Sequence, residues 1–407
     1  MEGQFLPSLR QLRTFAAVAR FDSISRASAQ LRLSQSAVTQ AIATLEANLD
    51  VPLFVRRSKG TYLTEYGEIL KKRTTRFFET IEGAIRELGD ETGPVHRISS
   101  ASTSYRITKS QVRALIAIHQ SGSFTQAARQ LGVSQTSVHR SARSLEAQQQ
   151  QELFQDTALG VTTNASGGKF AERVLQATRE LEWAFEEVDA KRGVVRGRIL
   201  IGALALAGTY YLASKLSEFV SAYQFANVTI INGPYDALLP KLRGGSLDFL
   251  VGLLKNPPPV DDVIEEELLP DPYVIAVRQD HPLASEKRVT RADLVGFDWI
   301  LAPSGAWRRI VFENTFPGLT GPHSNIETHS LPTIASMLAN TDRMTILTQS
   351  ELEVVRQQGQ RLEALPFGSI EPSTAIGVTI RKNWHPTFLQ RIFLEFLRGQ
   401  TIRQAAE

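Results

Sequence analysis

The chain has 407 residues, 42% of them hydrophobic and 21% charged, with a formal net charge of +3. That is an ordinary composition for a soluble globular protein, and the length predicts roughly two to three domains. The absence of cysteine excludes disulfides, thiolate metal sites and cysteine nucleophiles, and it fits a reducing compartment.

The first residues lack a basic region followed by an apolar core, so no secretory signal is expected. The longest apolar run, 199–208, is far too short to cross a bilayer. A cytoplasmic protein with no membrane partner is expected. The charge is unevenly placed: residues 1–76 hold 12 Lys/Arg against 6 Asp/Glu, a net +6, whereas 196–407 hold 20 against 22, a net −2. A basic segment suits counterion release from a phosphate backbone, although a solvated basic face has the same composition.

Leu12, Phe15 and Val18 recur at helical spacing and predict a first helix. Ser25 and Arg26 open a short second helix with Ala27, Ala29 and Leu31. After a turn through Leu33, Ser34 stands at an N-cap position, and Ala37, Val38, Ile42 and Leu45 line a third helix. Two short helices with a tight link make a helix-turn-helix pattern, whose second helix fits a DNA major groove. Its candidate base readers are Ser34, Gln35, Ser36, Thr39 and Gln40. Glutamine can pair bidentately with adenine, and hydroxyls can reach bases or phosphates. Residues 53–64 then read as a two-stranded wing with Arg56, Arg57 and Lys59 at a basic tip.

From Leu70 the pattern becomes one long helix, with Leu70, Phe77, Ile81, Ile85 and Leu88 on a narrow stripe. The other face carries Lys71, Lys72, Arg73, Arg76, Glu79, Glu82 and Glu87. Such a stripe is a coiled-coil seam or the inner face of a helix packed on its own domain. A polar linker with Gly93-Pro94 and a Ser/Thr cluster follows.

The chain then repeats itself. Shifted by 100 residues, 12–88 aligns with 112–188 without a gap, with about 20 identities over 77 positions. This marks a duplicated folding unit. Copy two keeps Phe124, Ala127, Leu131, Ser134, Gln135, Val138 and Leu145, and a linker-helix stripe of Phe170, Val174, Ala177, Leu181, Phe185 and Val188. Its reading positions are Ser134, Gln135, Thr136, His139 and Arg140, with Arg143 beyond. Its wing is degenerate: Asp156, Thr157 and Leu159 replace Arg56, Arg57 and Lys59. An acidic residue there repels phosphate, so copy two reads DNA weakly, differently or not at all. The two linker helices either pair within one chain, imitating a dimer, or each pairs with a second chain.

The second half has another grammar. Short apolar segments at 198–202, 228–232, 247–252, 273–277, 299–302, 325–328, 344–347 and 375–380 alternate with helical patterns at 209–222, 236–243, 307–316, 331–339, 352–358 and 386–398. This alternation predicts a parallel α/β sheet.

Two sets of residues carry a family resemblance. The first is the run Ala27…Leu33-Ser34-Gln35-Ser36-Ala37-Val38…Leu45-Glu46…Leu53-Phe54-x-Arg56, then Leu63-Thr64-x-x-Gly67. The second comprises Leu242-Arg243-Gly244-Gly245-Ser246-Leu247-Asp248, Asp280-His281-Pro282-Leu283-Ala284, Trp299-Ile300-Leu301-Ala302-Pro303 and Glu327-Thr328-His329-Ser330-Leu331. Over nearly its whole length the chain resembles the LysR-type transcriptional regulators. That family usually has one helix-turn-helix unit per chain, its linker helix forms a dimer interface, and its effector domain is similar to type 2 periplasmic binding proteins.

The resemblance implies a multidomain protein: two tandem all-α winged helix-turn-helix copies, each with a linker helix, followed by an α/β type 2 periplasmic-binding-protein-like effector domain. The expected domains are 8–65 for the first winged copy, 66–90 for its linker helix and 91–105 for the polar linker. They continue with 106–165 for the second winged copy, 166–193 for its linker helix and 196–400 for the effector domain. Within the last, 196–267 with 370–400 would form one subdomain and 268–369 the other.

The implied partners are double-stranded promoter DNA, a small-molecule effector, the transcription machinery and further copies of the chain. Cleft positions implied for the effector are Leu206, Thr209, Pro234 and Tyr235 on one side, and Ser304, Gly305, Trp307, His329 and Ser330 on the other. Leu206 and Pro234 stand where the family often has hydroxyls and cannot anchor a carboxylate. Thr209 and Tyr235 are their nearby substitutes. Trp307 can stack on a ring or sugar face, whereas Ser304 and Ser330 also suit helix caps.

No catalytic constellation is found. The seven histidines are scattered, with no His-x-x-x-His pair, nucleophile elbow or phosphate loop. Asp261-Asp262 and Glu265-Glu266-Glu267 read as a solvated face or strand edge. No cofactor, metal or enzymatic activity is expected. The competing reading is a ligand-sensing interaction module whose helix-turn-helix units serve oligomerisation.

Overall fold

The computed structural model describes residues 6–58, 60–90, 106–157, 160–204, 207–255, 257–319, 326–372 and 374–399, with backbone only at 90 and 207–210. The polar linker 91–105, Lys59, Leu159 and Leu206 lie outside the described residues.

The first unit comprises α1 (Leu9–Phe21), α2 (Ile24–Leu31), α3 (Gln35–Leu49), the hairpin β1 (Phe54–Arg57) and β2 (Gly60–Leu63), and the long α4 (Glu65–Asp90). Leu9, Leu12, Phe15 and Val18 bury one face of α1. Ser23 caps α2 by accepting from the Arg26 N–H, and Ser34 caps α3 by accepting from the Ala37 N–H. The same order recurs as α5 (Lys109–Ser121), α6 (Phe124–Leu131), α7 (Gln135–Gln149), β3 (Phe154–Thr157), β4 (Gly160–Thr163) and α8 (Ala165–Lys191).

Several identical residues do the same job in both units. The Glu46 carboxylate accepts from the Leu53 and Phe54 N–H groups at 2.8 and 3.3 Å, and Glu146 accepts from Leu153 and Phe154 at 2.8 and 3.1 Å. This pins each hairpin to the helix before it, β1 to α3 and β3 to α7. A Cβ on Gly67 or Gly167 would sit 2.2 or 2.0 Å from the Leu53 or Leu153 carbonyl oxygen, so only glycine lets the linker helix start so close.

The linker helices α4 and α8 pack on each other within the chain. Phe77, Ile81, Ala84, Ile85 and Leu88 share one buried cluster with Phe170, Val174, Ala177, Leu181, Ala184 and Val188. Their ion pairs show that the helices run antiparallel: Lys191 meets Glu65 at 2.9 Å, Arg73 meets Glu187 at 2.5 Å, and Arg173 meets Glu87 at 2.8 Å. The last two pairs join equivalent positions 100 residues apart, which is the reciprocity of a two-fold interface inside one polypeptide.

The C-terminal half has two sheets. The first takes β5 (Gly197–Leu204), β6 (Ala226–Gly233), β7 (Phe249–Leu253), β8 (Val263–Pro270) and β14 (Ala375–Arg381) in the order β6-β5-β7-β14-β8. Between these come α9 (Ala207–Ala222) and α10 (Tyr235–Arg243). The second sheet is β12-β9-β13, built from β9 (Tyr273–Arg278), β12 (Thr345–Thr348) and β13 (Leu362–Ala364), all antiparallel. The parallel pair β10 (Ile300–Leu301) and β11 (Ile326–Glu327) attaches through a bridge from Trp299 to Met344. Helices α11 (Trp307–Thr315), α12 (Leu331–Ala339), α13 (Gln349–Gln357) and α14 (Phe388–Leu397) complete the domain.

The expected parallel sheet is corrected to a mixed one. β5 pairs in parallel with β6 and β7, but β14 runs antiparallel to β7 and β8. The chain enters β14 on its way back from the second sheet and so arrives from the opposite end. The acidic run Glu265-Glu266-Glu267 lies on β8, an edge strand. The two crossings between sheets run side by side, with the Asp271 N–H donating to the Thr374 carbonyl at 3.0 Å.

Arg73 is 1% exposed and has three acceptors: Glu187, Glu180 at 2.8 Å and the His385 carbonyl at 3.2 Å. Arg73→Ala leaves the partly exposed Glu180 and Glu187 carboxylates without their buried counter-ion, a loss toward the lower end of the about 3–5 kcal/mol that breaking a fully buried pair costs. Thermal unfolding of the variant should therefore begin well below wild type. An unchanged melting curve would mean that the pair is solvated in solution.

Candidate nucleic-acid interface and effector cleft

In unit one, Gln35, Ser36 and Gln40 are exposed along the first turns of α3, and Thr39 is half-buried. Ser34 is the helix cap, its Oγ also sharing a hydrogen bond with Ser36 at 2.9 Å. Gln35 donates to the Ser25 Oγ at 3.4 Å. Arg56 and Arg57 are exposed on β1, and the Arg57 guanidinium lies 5.9 Å from the Tyr62 ring centroid. One short helix and one ribbon thus present amides, hydroxyls and two cations on the same small unit.

In unit two, Gln135, Thr136, His139 and Arg140 are exposed on α7, and Ser134 is the cap, accepting from the Ser137 N–H at 3.2 Å. The His139 ring lies 5.8 Å from that of Phe124. Asp156 and Thr157 are exposed on β3 where unit one has its cations, and the Thr157 hydroxyl donates to the Gly160 carbonyl at 2.6 Å.

The effector candidates divide. Leu206 is outside the described residues and the Thr209 side chain is not described. Pro234 is the N-cap residue of α10 and offers no side-chain cap. Ser304, Gly305 and His329 are exposed in loops. Ser330 is held as a cap, accepting from the Thr333 N–H at 3.3 Å.

Tyr235 and Trp307 do come together, through a residue that the sequence patterns did not single out. The Lys255 ammonium lies 5.1 Å from the Tyr235 ring and 4.9 Å from the Trp307 ring, within cation–π range of both. Tyr235 and Trp307 are the first residues of α10 and α11, so two helix N-termini, one from each subdomain, converge on one cation. Glu265 accepts from the Tyr235 hydroxyl at 3.3 Å and the Lys255 N–H at 2.9 Å. Behind Trp307, Arg308 holds Glu351 with both oxygens, at 2.5 and 2.6 Å, and fixes the start of α11. The signal for Lys255 was its place just beyond a predicted strand, where ligands of α/β sheets bind.

Between the linker helices and this cleft lies a buried charged junction. Arg179 of α8 donates to Asp248 at 3.0 Å, and Asp248 accepts from the Leu200 N–H at 2.7 Å. The Trp183 ring lies between two guanidiniums, 5.3 Å from Arg73 and 5.4 Å from Arg179. Glu186 accepts from the Arg198 N–H at 3.2 Å.

A model of the LysR substrate binding domain matches residues 192–401, and one of the bacterial regulatory helix-turn-helix protein, lysR family, matches 9–68 and 110–167. The chain belongs to the LysR family. It is 30% identical over 378 residues to the HTH-type transcriptional regulator GalR of Pseudomonas putida, covering 92% of this chain and 93% of that one. Those shares make the two chains nearly equal in length. It is 25% identical over 257 residues to GbpR of Rhizobium radiobacter, covering 61% of this chain and 84% of the relative. A full-length OxyR variant from Pseudomonas aeruginosa shares the fold with TM-score 0.55 at 21% identity, covering 71% of this chain and 93% of that one. The protein is a transcriptional regulator and not an enzyme, and these relatives do not favour an interaction module that has lost DNA binding. No described helix is long and apolar enough to cross a membrane.

The regulator's junction carries a titratable group. Burial pushes the Glu186 carboxyl up from 4.5 to about 8, against the pull of Arg179. Between those values the folded chain holds a proton that the unfolded chain releases. Its contribution to stability is complete below the lower value, falls through the window and is gone above it. Glu186→Gln should flatten that part of a melting-temperature profile, with the variant gaining on wild type toward pH 8. Parallel profiles would rule the carboxyl out.

Proposed function

We propose that the regulator reads duplex promoter DNA with unit one, through Gln35, Ser36, Thr39 and Gln40 in the major groove and Arg56 and Arg57 on the phosphates, with Ser34 ordering the helix start. The observation that carries this is an exposed amide- and hydroxyl-bearing helix beside an exposed basic wing. The two units are a tandem duplication, supported by the ungapped repeat and by two matched helix-turn-helix segments. Boundaries near 8–65, 66–90, 91–105, 106–165, 166–193 and 196–400 follow from this reading, as does a cytoplasmic location.

The antiparallel linker pair sets the two units at opposite ends of a rod. With 26 residues in α4 at 1.5 Å each, the rod is about 39 Å long. This is of the order of one turn of duplex, about 34 Å. One chain therefore supplies the pair of reading units that a one-unit regulator assembles from two chains. Further association into a homo-oligomer, and contact with the transcription machinery, would use other surfaces.

A small anionic effector binds between the subdomains, at Lys255, Tyr235 and Trp307. Ser304, Gly305 and His329 line its approach, and Ser330 caps α12 nearby. One cation and two helix N-termini support the negative charge, and the two rings support a flat face.

Arg56→Ala with Arg57→Ala should weaken binding to every duplex and lower the salt slope by about two; an unchanged slope would remove the wing from the interface. Gln35→Ala should reduce discrimination more than affinity, and equal losses on specific and random DNA would refute base reading there. Lys255→Met should abolish the effector-dependent change in a promoter reporter while leaving operator affinity intact. A normal response would place the effector elsewhere.

A further inference from the structure

The two units of one chain share a skeleton but differ in where their charge lies. On unit one the reading surface of Gln35, Ser36, Thr39 and Gln40 is uncharged, and the cations stand on the wing at Arg56 and Arg57. On unit two the wing carries Asp156 and Thr157, and the cations stand on the reading helix at Arg140 and Arg143. Arg143 is tied to Glu146 at 2.7 Å. Arg140 is exposed and has neither hydrogen bond nor ion pair among the described residues. In the alignment Gln40 corresponds to Arg140, and Thr39 to His139. Glutamine suits the N6/N7 edge of adenine, and arginine suits the O6/N7 edge of guanine.

The order of the units is set as well. The Arg73–Glu187 and Arg173–Glu87 pairs and the shared apolar seam hold the linker helices of the two units antiparallel within one polypeptide. A dimer of identical one-unit chains shows the same helix twice, so its site is palindromic. Two unlike helices in one chain are under no such constraint.

We propose that each chain recognises duplex DNA with two unlike half-sites: one containing adenine, read by unit one and anchored through its wing, and one containing guanine, read by Arg140 of unit two. The proposal rests on the reading of DNA by unit one given above. Unit two, with an acidic wing, draws less on phosphate contact and more on the base pair under Arg140. Two chains on one operator then give the order one–two–two–one or its reverse, palindromic only as a whole.

The test is selection of bound duplexes from a random pool by the full chain, for wild type, for His139→Thr with Arg140→Gln, and for Gln35→Ala. All three positions are exposed, so the variants keep their fold. Wild type is expected to enrich a site with two different half-sites, one with an invariant G·C pair. Replacing that pair by A·T should weaken wild type roughly 5- to 150-fold and leave the double variant unaffected. The double variant should enrich a site closer to an inverted repeat, and Gln35→Ala should alter only the other half-site. Identical inverted half-sites for wild type, a single half-site, or an unchanged site for the double variant would overturn the proposal and leave unit one's reading standing. If no duplex is enriched by any protein, both fall.

Discussion

The antiparallel contact between the two linker helices is the interaction on which the rest of the molecule depends. Its apolar stripe merges the cores of both helix-turn-helix units into one cluster. Its polar contacts are unusually demanding. Arg73 and Arg179 are almost fully buried, and a buried guanidinium needs carboxylate or carbonyl acceptors to offset its lost hydration. Those acceptors come from three parts of the chain: Glu180, Glu182 and Glu187 on the same helix pair, Asp248 at the start of β7, and the His385 carbonyl before α14. Correct charge satisfaction therefore fixes the effector domain against the linker helices as well as the helices against each other.

That arrangement links the strand before Lys255 to the linker helices. Asp248 receives Arg179 from α8 and the Leu200 N–H from β5. Strand β7 runs from Phe249 to Leu253, and Lys255 follows directly, between the rings of Tyr235 and Trp307. A ligand at Lys255, as proposed above, would act on the strand whose other end is anchored to the linker helix. Such a ligand shifts the regulator only if it binds one subdomain arrangement better than another. The paired crossings at Asp271 and Thr374 are where the chain passes between the two sheets.

The helix-turn-helix units were legible because their signals are local. A cap at Ser34, an apolar period on α3 and a glycine at 67 are read within one or two turns, and the repeat states each of them twice. The interhelical ion pairs also have a trace in the repeat, since Arg73 and Glu87 are identical to Arg173 and Glu187. The cleft was legible only in part. Trp307 and Tyr235 were found by position, whereas Ser330 spends its hydroxyl on its own helix and Lys255 carries no motif.

By itself the sequence determined which segments are helices, that 12–88 realigns with 112–188 at a shift of 100, that Asp156, Thr157 and Leu159 stand where the first wing has Arg56, Arg57 and Lys59, and that a strand-and-helix domain follows. These are properties of periodicity, capping and residue type, and they need no partner segment. Tertiary structure alone decided that the two stripes meet within one chain, that they run antiparallel, that β14 enters the first sheet against its neighbours, and that Lys255 faces two rings from different subdomains. Each of these joins residues far apart along the chain. Apolar periodicity records that a face must be covered, but it does not record which face covers it or in which direction.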